Sequence, residues 1–306
     1  RGARVGAALA AVTLAGVALA AHGLGAHALG LERVLWLDGP FYPTPTGPFV
    51  ARGAFAACLT LAMLAAAASW LTRDDAAPGL ALAVAWTAMA AALIASQSRA
   101  GLAAALAGHL VLLALAVRGG WLNRRPAALA ALALLGATGA AVGLAGLDGR
   151  FAALPTDLAH RVAVWQASLA AIAERPWTGH GLGSFPHLYA LYRVPAASQP
   201  VASAHSLALE WAAEIGVPGT LALGLVMLGI ARALLRAPAN SRAVLVALPA
   251  LAAMLLQGAV DPGPQVPAVA LIAALLIGLG LSRTRRPVSH PGLPGALRRD
   301  QRHPDR

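Results

Sequence analysis

Apolar runs of membrane-crossing length recur along this chain and leave little room for any other kind of fold. Eight of them lie at about 5–22, 50–71, 77–97, 100–117, 127–147, 206–231, 243–260 and 266–282. Each is close to the ~20 residues a helix needs to cross a bilayer. In hydrocarbon every backbone N–H and C=O must find its partner within the protein, so runs of this kind become helices. Charge is correspondingly scarce. Only 11% of the 306 residues are charged while 58% are hydrophobic, whereas a soluble domain carries roughly a quarter charged residues. The expected fold is an all-α, polytopic helical bundle of about eight spans. It divides into spans one to five over 1–147, a long loop over 148–205, spans six to eight over 206–282, and an Arg/Pro-rich tail without fixed structure over 283–306.

The 23 basic residues are all arginine, and the net charge is +11. Such a charge is compatible with nucleic acid, but the arginines fall mainly in short segments between apolar runs, so orientation in the bilayer accounts for them and no nucleic-acid partner is expected. With the N-terminus in the cytoplasm, the clusters Arg118/Arg124/Arg125, Arg232/Arg236/Arg242 and Arg283/Arg285/Arg286 all fall on the cytoplasmic side. The opposite, periplasmic face receives the 23–49 loop, the turn at Ser98-Arg99, the 148–205 segment and the Asp261-Pro-Gly-Pro turn. The expectation is therefore an inner-membrane, multi-pass protein whose one long loop is periplasmic and shares its face with Arg99 and His205. The single cysteine, Cys58, lies inside an apolar run, which excludes an intrachain disulfide and a thiolate metal cluster. The chain opens on Arg1 instead of methionine, from which processing or missing upstream helices are expected; a signal peptide is the alternative reading of the first run.

The 148–205 segment is the only sizeable piece outside the apolar runs. Val162, Trp165, Leu169 and Ile172 follow a three-to-four spacing, which predicts an amphipathic helix lying along the membrane. Pro176 ends that helix, and Gly179, Gly181 and Gly183 make a flexible turn. Arg150, Arg161, Arg175 and Arg193 make this loop basic on the side that is usually poor in positive charge, which points to an anionic partner.

Three residues have the chemistry for a reaction at this face. Arg99 stands between two apolar runs, where a guanidinium is expensive unless it has a task. It is either a snorkelling anchor or a fixed fork for an anion such as phosphate. Arg161 lies on the predicted surface helix and offers the same choice, with His160 beside it a bystander. His205 opens the sixth run and has the intrinsic range of a general base near neutral pH, though a histidine at a helix start is as readily a cap. Glu210 and Glu214, four apart, share a helix face below it and are candidates to fix its tautomer. The nine histidines show no metal-binding spacing, the Gly179-x-Gly181-x-Gly183 pattern lacks the strand and lysine of a nucleotide loop, and no nucleophile elbow surrounds Ser98 or Ser206.

Three pieces together resemble the O-antigen ligase/polymerase superfamily of bacterial envelope glycosyltransferases. Ser96-Gln97-Ser98-Arg99 is similar to that family's SxSR turn. The stretch RVAVWQASLAAIAERPWTGHGLGSF resembles its outer loop with Arg, Trp, Pro and Gly-x-Gly landmarks. His205-Ser206, nine residues and then Gly216-Val-Pro-Gly219 matches the pattern of His, a small polar residue, nine residues and Gly-x-x-Gly. The resemblance covers about 80–282. It implies a metal-independent, cofactor-free, inverting transfer of a glycan from an undecaprenyl-diphosphate-linked donor in the membrane lipid. Catalytic roles then fall to His205 as base and to Arg99 and Arg161 at the diphosphate, with Ser98, Ser206, Glu210, Glu214, Gly181 and Gly183 around the substrate. The acceptor it implies is lipid A-core for a ligase, with a lipid-linked repeat for a polymerase or a protein serine for an oligosaccharyltransferase as alternatives. A solute transporter and a scaffold with a vestigial site are the readings of other classes.

Overall fold

The computed structural model describes residues 2–31, 33–34, 37–38, 44–72, 77–145, 154–193, 201–238 and 240–282. The tail expected at 283–306 lies outside the described residues. Helix α1 (Gly2–Ala28) leads into a two-residue antiparallel ribbon, β1 (Arg33–Val34) and β2 (Leu37–Asp38), with Val34 opposite Leu37. There follow α2 (Arg52–Leu71), α3 (Ala77–Ala95), α4 (Arg99–Arg118), α5 (Arg124–Ala145), α6 (Leu154–Glu174), α7 (Phe185–Tyr192), α8 (Leu207–Arg236), α9 (Arg242–Gly258), a 3₁₀ turn at Gly263–Gln265 and α10 (Pro267–Leu281).

Each of the eight apolar runs is helical, but the count of spans needs correction. Among the described residues four helices are long and apolar enough to cross a membrane: Ala3–Ala28, Arg52–Leu71, Arg99–Arg118 and Leu207–Arg236. Gly79–Ala95, Arg242–Gly258 and Pro267–Leu281 are apolar but shorter, and α5 belongs to neither group. The 15 residues of α10 rise only about 22 Å against a hydrocarbon core of about 30 Å. The chain is a helical, multi-pass membrane protein; a full eight spans goes beyond these lengths.

Helix α2 is the axis of the bundle. It is buried almost continuously from Gly53 to Ala68, as a helix apolar on every side must be, and α1, α3, α4, α9 and α10 all pack on it. Alanine and glycine at the crossings let backbones come close. A β-carbon on Gly101 of α4 would lie 2.3 Å from that of Ala56, and one on Gly108 would lie 3.0 Å from Leu64 and 3.2 Å from Ala253.

Helix α8 is two helices joined at a kink. Gly216 has φ 78° and ψ 165°, and Pro218 follows it. The loop after α6 supplies hydrogen bonds at the break: Val217 N–H donates to Pro176 O (2.8 Å), His180 N–H to Ala213 O (2.9 Å) and Gly181 N–H to Glu214 O (2.8 Å). No side chain fits between the two strands of this clasp. A β-carbon would lie 2.3 Å from Glu214 O if placed on Gly179 and 2.5 Å from Trp177 O if placed on Gly216. The two glycine motifs of the sequence thus interlock through their main chains.

Helix α6 packs on α7 and α8 through Val164, Ala167 and Ala171, which meet Phe185, Leu188, Tyr189, Ala204 and Ala213. The stripe expected to face the membrane divides. Val162 and Leu169 are exposed, while Trp165 and Ile172 are partly buried.

Candidate active site

One end of the bundle gathers the chemistry-bearing residues. The start of α4 packs on the start of α2 at Gly101 and Ala56. The start of α2 packs on the α9–α10 turn, where a β-carbon on Gly53 would lie 2.1 Å from Asp261 Oδ1. The end of α9 packs on the start of α8, where one on Gly258 would lie 2.2 Å from Leu207 Cδ1. Arg52 and Arg99 are the first residues of α2 and α4, so two guanidinium groups stand where two helix dipoles are also positive.

The turn into α4 is held by its two serines. Ser96 Oγ donates to Leu93 O (2.6 Å) and accepts from Ser98 N–H (3.3 Å), and Ser98 Oγ caps the helix by accepting from Gly101 N–H (3.2 Å). Between them Gln97 takes φ 52°. Ser98, expected beside the substrate, is therefore a buried cap that sets where Arg99 begins its helix.

His205 has φ 50°; it and Gln97 are the two non-glycine residues with positive φ among the described residues. Conformations of this sort cost about 1–3 kcal/mol and persist where neighbours enforce them. Here the enforcing group is Glu210. Its Oε2 accepts from Ser203 Oγ (2.6 Å) and from Ala204 N–H (2.8 Å), and Ser203 Oγ in turn accepts from His205 N–H (3.1 Å). Trp165 on α6 grips the same loop from the other side, its indole N–H donating to Ala204 O (3.2 Å).

One turn before Trp165 on α6, Arg161 donates to Val260 O (2.7 Å). The charges acting on the His205 ring are those of Arg161, Asp261 and His160. Burial of the ring is the largest influence and lowers its pKa; Arg161 and His160 lower it further, and the opposing pull of Asp261 does not offset them. The ring is thus neutral near pH 7, the form that accepts a proton. Asp261 is held in place by Gly263 N–H, which donates to its Oδ1 (2.8 Å), while Gln257 Nε2 donates to Gly53 O (2.8 Å) and locks this turn against α2.

The remaining sequence candidates fall as follows. Glu214 Oε1 accepts from Phe185 N–H (3.1 Å) at the start of α7. Ser206 is the buried residue preceding α8 and makes no side-chain cap bond. Gly181 and Gly183 both have positive φ, with nothing within 4 Å of where a β-carbon would stand. Sequence reasoning selected neither Asp261 nor Ser203, nor did it see that Trp165 binds the loop. A polar residue in a turn between two apolar runs was the one available signal for Asp261.

Residues 84–224 match the O-antigen ligase family, an interval running from within α3 through the SxSR turn, α6 and His205 to beyond the Gly216 kink. The similar interval covers 141 of the 306 residues. All three motifs lie inside it, while Arg52 and the Asp261 turn lie outside it. The similarity supports a glycan-transferring class of membrane protein at a coarse level. A search of curated proteins found no match.

Proposed function

We propose that this protein is a metal-independent, inverting glycosyltransferase of the inner membrane, working at the periplasmic face. It would move a glycan from an undecaprenyl diphosphate to a hydroxyl of lipid A-core, as an O-antigen ligase. The observation that carries the reading is the convergence of Arg161, Asp261 and a neutral, conformationally held His205 at the end of the bundle where Arg99 begins α4. Donor lipid would enter sideways between helices, with its diphosphate toward Arg99 and Arg161. His205 takes the proton of the acceptor hydroxyl as its oxygen bonds to the anomeric carbon from the face opposite the lipid. The bond from that carbon to the diphosphate oxygen breaks with inversion, and the lipid diphosphate leaves with the electron pair. Arginines that never lose their charge match the charge that develops there. Glu210, Glu214, Ser98 and Ser206 act as positioning residues, and Gly181 and Gly183 border the sugar.

The test is transfer from a polyprenyl-diphosphate glycan by the reconstituted full chain in chelator. Lipid A-core, lipid-linked repeat and acceptor protein would be offered in parallel, and Arg99→Ala, Arg161→Ala and His205→Ala compared with the wild type. Transfer to lipid A-core that survives chelation and falls at least a hundredfold in each variant supports the reading. Transfer to another acceptor alone would reassign the branch, and none to any acceptor from folded protein would sink it.

A further inference from the structure

The half of the bundle away from His205 holds a cavity of about 720 Å³. Its walls are the second half of α2, the first half of α3, the second half of α4 and the first half of α5, with Trp70, Trp86, His109, Leu112, Leu122 and Pro126 among its lining. The polar groups of Trp86, His109 and Thr87 that line it are already paired. Trp86 Nε1–H donates to His109 Nε2 (3.0 Å), His109 Nδ1–H to Ala105 O (2.8 Å) and Thr87 Oγ1 to Ala83 O (2.9 Å). An apolar chain can occupy this space without leaving any of them unsatisfied.

Two further features define the chain's head. Arg118, Arg124 and Arg125 are exposed at the helix ends beside the lining residues Leu122 and Pro126, and residues 77–145 contain no carboxylate at all. From His109 to Arg118 the helix rises about 14 Å, close to the ~15 Å depth of one leaflet's hydrocarbon. Arginines stand at headgroup level and the Trp86–His109 pair forms the floor at acyl-chain depth. The start of α2 at Arg52 lies about 28 Å along that helix from the cavity mouth at Leu71. We propose that this cavity binds an anionic phospholipid of the leaflet at the arginine-rich end, one acyl chain inside and its phosphate on Arg118, Arg124 and Arg125. Basic pockets between membrane helices recognise lipid headgroups in this way. The inference stands apart from the glycosyltransferase reading, because it concerns a different leaflet and a different ligand.

The test is native mass spectrometry of the delipidated full chain offered phosphatidylglycerol, phosphatidylcholine or polyprenyl phosphate with matched detergent. Wild type is expected to retain one phosphatidylglycerol in preference to phosphatidylcholine by tenfold or more. Substituting the three arginines by glutamine should erode that preference by about fivefold per arginine. Ala83→Phe and, on a different helix, Ala133→Phe should lower retention of both phospholipids by filling the cavity, with helix content checked by circular dichroism. Equal retention of the two phospholipids by wild type overturns the proposal, as does a preference that survives loss of all three arginines. Displacement of phosphatidylglycerol by equimolar polyprenyl phosphate, sensitive to Ala83→Phe, would instead give the cavity to the donor's tail.

Discussion

Glu210→Ala is the substitution that most directly tests how the site is held. One carboxylate oxygen accepts two hydrogen bonds, from Ser203 Oγ and Ala204 N–H, in a residue only 6% exposed. Bonds to a charged acceptor contribute about 1.5–3 kcal/mol each, and removing the acceptor leaves both donors wanting a partner. The alanine variant should therefore lose at least about 3 kcal/mol of local stability, enough to release His205 from the left-handed conformation that Ser203 holds. In Glu210→Gln the amide oxygen can take the same position and both bonds, without the charge, so the loss should be nearer 1 kcal/mol. Native-state hydrogen exchange in lipid nanodiscs reads this at single peptides. The amides of Ala204 and His205 should exchange roughly a hundredfold faster in the alanine variant and less than tenfold faster in the glutamine variant, with α9 unchanged. Unaltered protection at 204–205 in Glu210→Ala would refute the account of Glu210 as the group that sets the histidine's backbone.

Other consequences follow from the same geometry. The pKa of His205 is held below its ordinary value of about 6.5, so the acidic limb of the transfer rate should fall below that value. Arg161→Gln should move the limb upward by removing a repelling charge, and Asp261→Asn should move it further down; shifts of the opposite sign would contradict the electrostatics. For folding, the unfolded chain takes up the proton first, so the contribution of His205 is fully present above about pH 6.5 and is lost as pH falls through the lowered folded value. This appears as a melting temperature more acid-sensitive in wild type than in His205→Gln. Gly216→Ala combines a positive φ with a clash at Trp177 O and should cost about 3 kcal/mol or more, read as a lower unfolding temperature. Trp86→Phe leaves His109 Nε2 without its donor and should destabilise by about 1–3 kcal/mol without changing the acidic limb.

The helices were legible because hydrocarbon admits few backbone solutions, and each apolar run indeed became one. The interruption of α8 was visible as Gly216-Val-Pro-Gly219, although the loop that clasps it was not, since main-chain hydrogen bonds leave no side-chain signature. Glu210 and Glu214 share a helix face as their spacing requires, yet they serve different partners. One reaches back to residues 203–204 and the other across to Phe185, a divergence that depends on tertiary packing. The inward face of α6 is made of Val164 and alanines, which a search for large apolar residues passes over. Asp261 escaped notice for a related reason. Its relation to His205 is created by the packing of Gly53 and Gly258 against their neighbours, and nothing local announces it.

The bond from Arg161 to Val260 closes a loop of 99 residues. At roughly 5–20 residues per second, a ribosome needs some five to twenty seconds to make that stretch. Within that interval residues 205–219 are themselves made, and the turn at Val260-Asp261 follows them by about 41 residues, or some two to eight seconds. The surroundings of His205 are accordingly a property of the finished bundle, completed only when α9 and its turn have joined the helices made before them.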